Sequence, residues 1–349
     1  MFALRISRLA AWLSVVSLSN VLGTSAMMGQ GVAGDKKKEI PPPADVQLET
    51  LDGMRLTATF YPSNAGEEAV PVVLLHMLEG SRADYRDLAL SLQSQGHAVL
   101  VPDLRGHGDS KTRTRRTPDG RVIRETLNVS SMSRVEFENM VRFDMPRLKQ
   151  FLLEKNNTRE LNIERLSVVG AELGASVALH WTRLDWSIPP EGYKKQGQDI
   201  KVLVLISPEW STQGLPLGSA LAGAAPMLMV RDPQLQRVFK EPDAMNFRVP
   251  VPLDFRSEVS VMITTGNGKS KAVGDAGRLN TILKTYHPDQ NILDLIYGTF
   301  GTTLQGTKIL HAKGLLLAGK TQEEHILRFI ELRAVKRSFK WEERKNPYG

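Results

Sequence analysis

Residues 167–179 constrain this chain more than any other stretch. An apolar run rich in β-branched residues breaks at Gly170, and apolar positions then recur at Leu173, Val177, Trp181 and Leu184. The first pattern is that of a buried strand and the second that of a helix face, so the segment predicts strand, sharp turn and helix. Gly170 and Gly174, with Ala171 and Ala175 beside them, leave room for a turn tight enough to project residue 172 from its apex while the helix packs back on the strand. The apex residue is Glu172.

The same periodicities extend along the chain. Residues 46–51 and 54–61, divided by Asp52-Gly53, predict a β-hairpin, and residues 70–76 an apolar strand of the kind buried on both faces of a parallel sheet. A helix with Tyr85, Leu88 and Leu92 inward leads to a strand at 97–102. After it comes Asp103-Leu104-Arg105-Gly106-His107-Gly108-Asp109-Ser110. Residues 136–153 predict a helix that Pro146 kinks or divides. Further strands are expected at 201–206, 259–264 and 291–297, a helix carrying Leu279, Ile282 and Leu283 between the last two, and a closing amphipathic helix at about 322–335.

Two of these features together resemble the α/β-hydrolase superfamily. The turn at 170–174 resembles its nucleophile elbow, G-x-S-x-G, with Glu172 in the place of the serine. The loop from Asp103 through Arg105, Gly106, His107 and Gly108 to Ser110 resembles its D-x-R-G-x-G-x-S segment. The resemblance covers residues 46–335 and implies an α/β fold, a mostly parallel central sheet flanked by helices, with a cap inserted at 209–257. It implies an oxyanion loop at His76 and Met77, facing the Leu173 amide, and a bracing role for the loop at 103–110.

The resemblance also implies where a triad should be, and three of its positions depart together. A glutamate replaces the nucleophilic serine. The acid should follow the strand at 259–264, where Lys269 stands, and the nearest carboxylate is Asp275. The histidine should lie in the loop at 298–306, which contains none; His311 follows it and His287 precedes the last strand. An ionised Glu172 about 4 Å from a tetrahedral oxyanion would oppose it by about 4 kcal/mol at an effective dielectric near 20, as much as an oxyanion-hole donor contributes. Ser176 and Ser207 read as structural hydroxyls. Two readings follow: a fold retained for binding a small-molecule or polymer ligand in the cleft after loss of serine-hydrolase catalysis, or a hydrolase of esters, epoxides or haloalkanes with Glu172 as carboxylate nucleophile.

Composition narrows the setting. The 349 residues contain no cysteine, which excludes disulfides, thiolate chemistry and a lipid-modified N-terminal cysteine. Arg5 and Arg8 precede an apolar run at 9–22, with small residues at Thr24-Ser25-Ala26 and Gly31-Val32-Ala33, so residues 1–33 are expected to be a signal peptide, or alternatively an anchor, of an exported protein. A proline-rich linker at 34–45 and a basic tail at 336–349 flank the domain. The net charge of +7 is moderate, but Arg113, Arg115, Arg116, Arg121 and Arg124 crowd a predicted loop that holds Asp119 as its acid. That loop is a candidate site for an acidic envelope polymer or another anion. No specific nucleic-acid motif, dinucleotide fingerprint, P-loop or paired-histidine motif occurs, and neither cofactor nor metal is expected.

Overall fold

A computed structural model describes residues 39–117, 119–188, 195–222, 254–268, 271–287 and 295–345. The expected leader, the first part of the linker, residues 223–253 of the expected cap, Lys269 and residues 346–349 lie outside the described residues.

Among the described residues, ten strands form one mixed sheet. Strand β1 (Ala44–Glu49) pairs antiparallel with β2 (Met54–Tyr61) across the Asp52-Gly53 turn. The parallel part is built from β3 (Pro71–Leu75), β4 (Ala98–Pro102), β7 (Leu166–Ala171), β8 (Ile200–Ile206), β11 (Ser260–Gly266) and β12 (Leu295–Phe300), in the spatial order β12-β11-β8-β7-β3-β4. Strand β4 then pairs antiparallel with β2, and β2 with β5 (Thr112–Arg116), whose partner is β6 (Val122–Thr126). A separate two-stranded ribbon, β9 (Ser211–Thr212) with β10 (Leu215–Pro216), begins the cap region.

Strand alternation sends successive side chains to opposite faces, and both faces are apolar. Val73 and Leu75 of β3, Val168 of β7 and Leu203 and Leu205 of β8 enter one buried cluster. Val72, Leu74, Val169, Val202 and Val204 enter the other. Helices α3 (Met145–Asn157), α4 (Leu173–Ser187) and α7 (Lys271–Lys284) cover the first face through residues such as Leu148, Trp181 and Leu279. Helices α1 (Arg86–Ser94) and α8 (Gln322–Ile330) cover the second through Leu88, Leu92, Ile326 and Phe329. Short helices α2 (Arg134–Asn139), α5 (Leu217–Leu221) and α6 (Phe255–Glu258) complete the set.

Three expectations change. The helix foreseen at 136–153 passes through a π-turn, Met140–Asp144, and Pro146, which has no N–H to give to the ladder, follows directly after it. The last strand runs on to Phe300, so the loop after it begins at Gly301. The arginine-rich segment is the β5–β6 hairpin rather than a loop, because Arg113 stands opposite Glu125 across the ladder and pairs with it. The described part of the basic tail is also pinned to the core. The Trp341 indole donates to the Asn156 carbonyl at 3.2 Å, and the Arg344 guanidinium is paired with Glu164 and Asp199.

Candidate functional site

The elbow forms where β7 ends. Glu172 adopts φ 48° and ψ −107°, a backbone conformation that L-residues rarely occupy and that persists where the surroundings impose it. Its N–H donates to the Ile206 carbonyl of β8 at 2.9 Å, and its own carbonyl accepts from the Ala175 and Ser176 amides at 3.1 Å. The flanking glycines are required by contact. A Cβ on Gly170 would lie 2.3 Å from the Gly174 carbonyl oxygen, and one on Gly174 would lie 2.2 Å from that of Leu75. Helix and strands therefore approach as closely as backbone allows. The apex lies at the carboxyl ends of β3, β7 and β8, the edge at which open α/β sheets gather their sites.

The Glu172 side chain is half-buried, and among the described residues its carboxylate has no hydrogen-bond partner. Burial raises its pKa above the ordinary carboxylate range; Glu209 adds to that rise and Lys308 opposes it. The loop after β12 reaches the apex at Gly306, which has φ +59°. A Cβ there would come within 2.8 Å of both Glu172 Oε1 and Met77 Sδ, so a histidine at 306 would displace one of them. The Gly306 N–H instead donates to Ser207 Oγ at 2.9 Å. The Leu173 amide is the first of α4 and has no intrahelical acceptor.

At the expected acid and base positions, other groups meet. Thr265 Oγ1 donates to Gln305 Oε1 at 2.8 Å, the Asn267 amide to the Phe300 carbonyl at 2.9 Å, and Gly268 packs on Thr303. Two loops that would hold an acid–histidine pair are thus joined by amide and hydroxyl groups that do not titrate near neutrality. Asp275 lies within α7 and accepts the Trp210 N–H at 2.8 Å, which ties the cap region to that helix. His76 is fully buried: its Nε2 accepts from the Leu104 N–H at 2.9 Å, which leaves Nδ1 to donate to the Met77 carbonyl at 2.7 Å. Burial lowers its pKa to about 4, so it stays neutral. His107 packs edge-on against His76, its Nδ1 3.0 Å from the Arg105 carbonyl. His311 is exposed. None of these three is hydrogen-bonded to Glu172. Among the described residues no group of histidines and carboxylates could hold a metal ion.

The loop at 103–110 follows the carboxyl end of β4 and is bonded to β2 and to the segment after β3. Asp103 accepts the Arg82 amide at 2.8 Å and the Asp109 amide at 2.9 Å, and pairs with the Arg82 guanidinium. Gly108 leaves space for that carboxylate, which a Cβ would meet at 2.2 Å. Ser110 Oγ accepts the Thr57 N–H at 2.8 Å. Arg105 is fully buried between Asp144 (2.5 Å), Asp52 (2.7 Å) and Glu136 (2.9 Å), and these carboxylates hold its charge firmly. Of the hairpin arginines, Arg113 is held by Glu125 and Glu136, Arg115 lies 3.6 Å from Glu125, and Arg121 pairs with Asp119 at 2.6 Å.

Sequence reasoning missed Gly306, Gln305, Thr265 and Glu209. The first two carried a signal, a polar Gln-Gly pair ending the loop at the expected base position; the others acquire their neighbours through the fold. The alpha/beta hydrolase fold family matches residues 70–244. Among solved structures, an esterase of Pyrococcus furiosus aligns at 16% identity with a TM-score of 0.50, covering 84% of this chain and 93% of that one. An esterase of Pyrobaculum calidifontis gives 17% identity and 0.51, covering 84% and 86%. At such identities the likeness is one of fold. An uncharacterized protein of Mycobacterium tuberculosis is 33% identical over 95 residues, 26% of this chain, and the match spans 34% of that protein's length.

Proposed function

The chain belongs to the α/β-hydrolase fold family, and on that premise we propose that it has given up serine-hydrolase catalysis and works by binding a cationic or hydroxylated small ligand at the elbow. The observation that carries this reading is the carboxylate at the apex with a glycine, Gly306, against it on the loop where a base belongs. A carboxylate there repels the oxyanion that the surrounding amides suit, and it attracts an ammonium or a hydroxyl donor instead. Glu209 strengthens the attraction for a cation, and Lys308 moderates it.

A second reading rests on the same carboxylate: Glu172 as a nucleophile toward esters, epoxides or haloalkanes. Its ester intermediate would need an activated water, and among the described residues no histidine is hydrogen-bonded to Glu172. Titration calorimetry of the protein with a panel of amines, amino sugars and polyols tests the binding reading. A ligand whose affinity falls at least about ten-fold in Glu172→Gln supports it; binding indifferent to that substitution rejects it. Export is part of the proposal and rests on the pattern at residues 1–33. Sequencing the mature protein from expressing cells should find an N-terminus after Ala26 or Ala33, whereas an intact Met1 in the membrane fraction would favour the anchor.

A further inference from the structure

A second concave site lies away from the elbow. The β1–β2 turn, the β5–β6 hairpin and the π-turn between α2 and α3 enclose a groove of about 620 Å³. Arg113, Arg115 and Arg116 line it from the hairpin, Arg142 from the π-turn, and Asn139 from the end of α2. The floor is rigid: the Thr114 N–H donates to the Gly53 carbonyl at 2.8 Å, and a Cβ on Gly53 would strike the Thr114 carbonyl.

The charges divide into two sets. Arg113 and Arg115 are committed to Glu125 and Glu136, and the lining carboxylate of Asp52 is occupied by Arg105 and Thr50. Arg116 and Arg142 have no carboxylate partner among the described residues. Glu49 is exposed at the rim and opposes an anion there. Asn139 lines the groove, and its side-chain amide has no hydrogen-bond partner among the described residues and is not sealed from solvent. Its amide is open to the groove, and two guanidinium groups that come from different elements line the same space. Such an arrangement offers two planar forks and an amide to one acceptor-rich group.

We propose that this groove binds a phosphate group, with Arg116 and Arg142 as its charged donors and the Asn139 amide as its neutral one. Arginine forks match the oxygens of a phosphate two at a time, which a scattered basic surface does not do. Arg121 and Arg124, which sequence alone grouped with the other arginines, do not line it. The π-turn is what adds Arg142 and Asn139, and π-turns within helices frequently mark functional positions.

The test is titration of the full-length protein with inorganic phosphate and glycerol phosphate, and flotation with phosphatidylglycerol against phosphatidylcholine vesicles. We expect saturable binding to one phosphate source, soluble or lipid, that Arg142→Gln and Arg116→Gln each weaken by about ten-fold. Arg124→Gln, on the same hairpin but outside the groove, should change it less than about two-fold. Arg116→Gln lies on an exposed strand, so its effect is readable even if Arg142→Gln proves unstable. Equal loss in Arg124→Gln would mean diffuse surface attraction and overturn the proposal, as would the absence of binding to every probe at millimolar phosphate or anionic lipid.

Discussion

At the apex of the elbow a carboxylate is held in a strained backbone conformation, half-buried and beside Glu209, and burial raises its pKa. The folded state therefore binds a proton more readily than the unfolded chain, whose glutamate titrates near 4.5. Stability from this group is present at low pH and is lost as pH rises through the raised folded value. Glu172→Gln should thus raise the melting temperature at pH 7, and the gain should vanish below about pH 4; a variant that melts lower at pH 7 would contradict this. The buried histidines act in the opposite sense. His97 is 2% exposed, its Nε2 has no partner, and burial lowers its pKa to about 4. The unfolded imidazole takes up a proton below about pH 6.5 while the folded one does not, so stability falls as pH falls from there toward 4. His97→Leu should remove on the order of 2–3 kcal/mol of the stability difference between pH 7 and pH 4, measured by urea unfolding at both. An unchanged pH dependence would show that His97 is not the group responsible.

Elements meet at this site through backbone contact, and this sets what substitutions cost. Gly174→Ala places a methyl 2.2 Å from the Leu75 carbonyl oxygen, where neither strand nor helix can yield, so a loss above about 3 kcal/mol is expected in denaturant unfolding. Arg105→Met would leave Asp52, Glu136 and Asp144 without their shared cation and should cost about 3–5 kcal/mol. Wild-type-like unfolding of either variant would refute these contacts. The elbow was legible because its signal is local: two glycines four residues apart, an apolar run before them and a helical period after. The strands β3, β7 and β8 were legible for the same reason. The hairpin was not, because its arginines read as an unpaired cluster until Glu125 and Glu136 are brought opposite them. Gly306 was legible only as the end of the loop at the expected base position; its meaning is the carboxylate it accommodates, 134 positions earlier in a chain of 349.

Across the described residues of the domain, the sheet is tied to its final segment by an ionic network that no local pattern announces. Lys149 of α3 is fully buried with Asp185 and Asp199, and Arg344 joins through Asp199 and Glu164, so residues far apart in sequence share one set of charges. The alternation of strands and helices made the architecture readable throughout, whereas a basic C-terminal sequence looks solvated until its partners are known. The proposed binding function rests on an α/β-hydrolase scaffold that carries a carboxylate at the apex and a glycine against it on the loop after β12. The direct test is turnover of short-chain nitrophenyl esters, epoxides and haloalkanes by the purified, well-folded protein, with Glu172→Gln beside it. The binding account predicts no turnover above the uncatalysed rate from either; turnover by the wild type that Glu172→Gln abolishes would contradict it and make Glu172 a nucleophile.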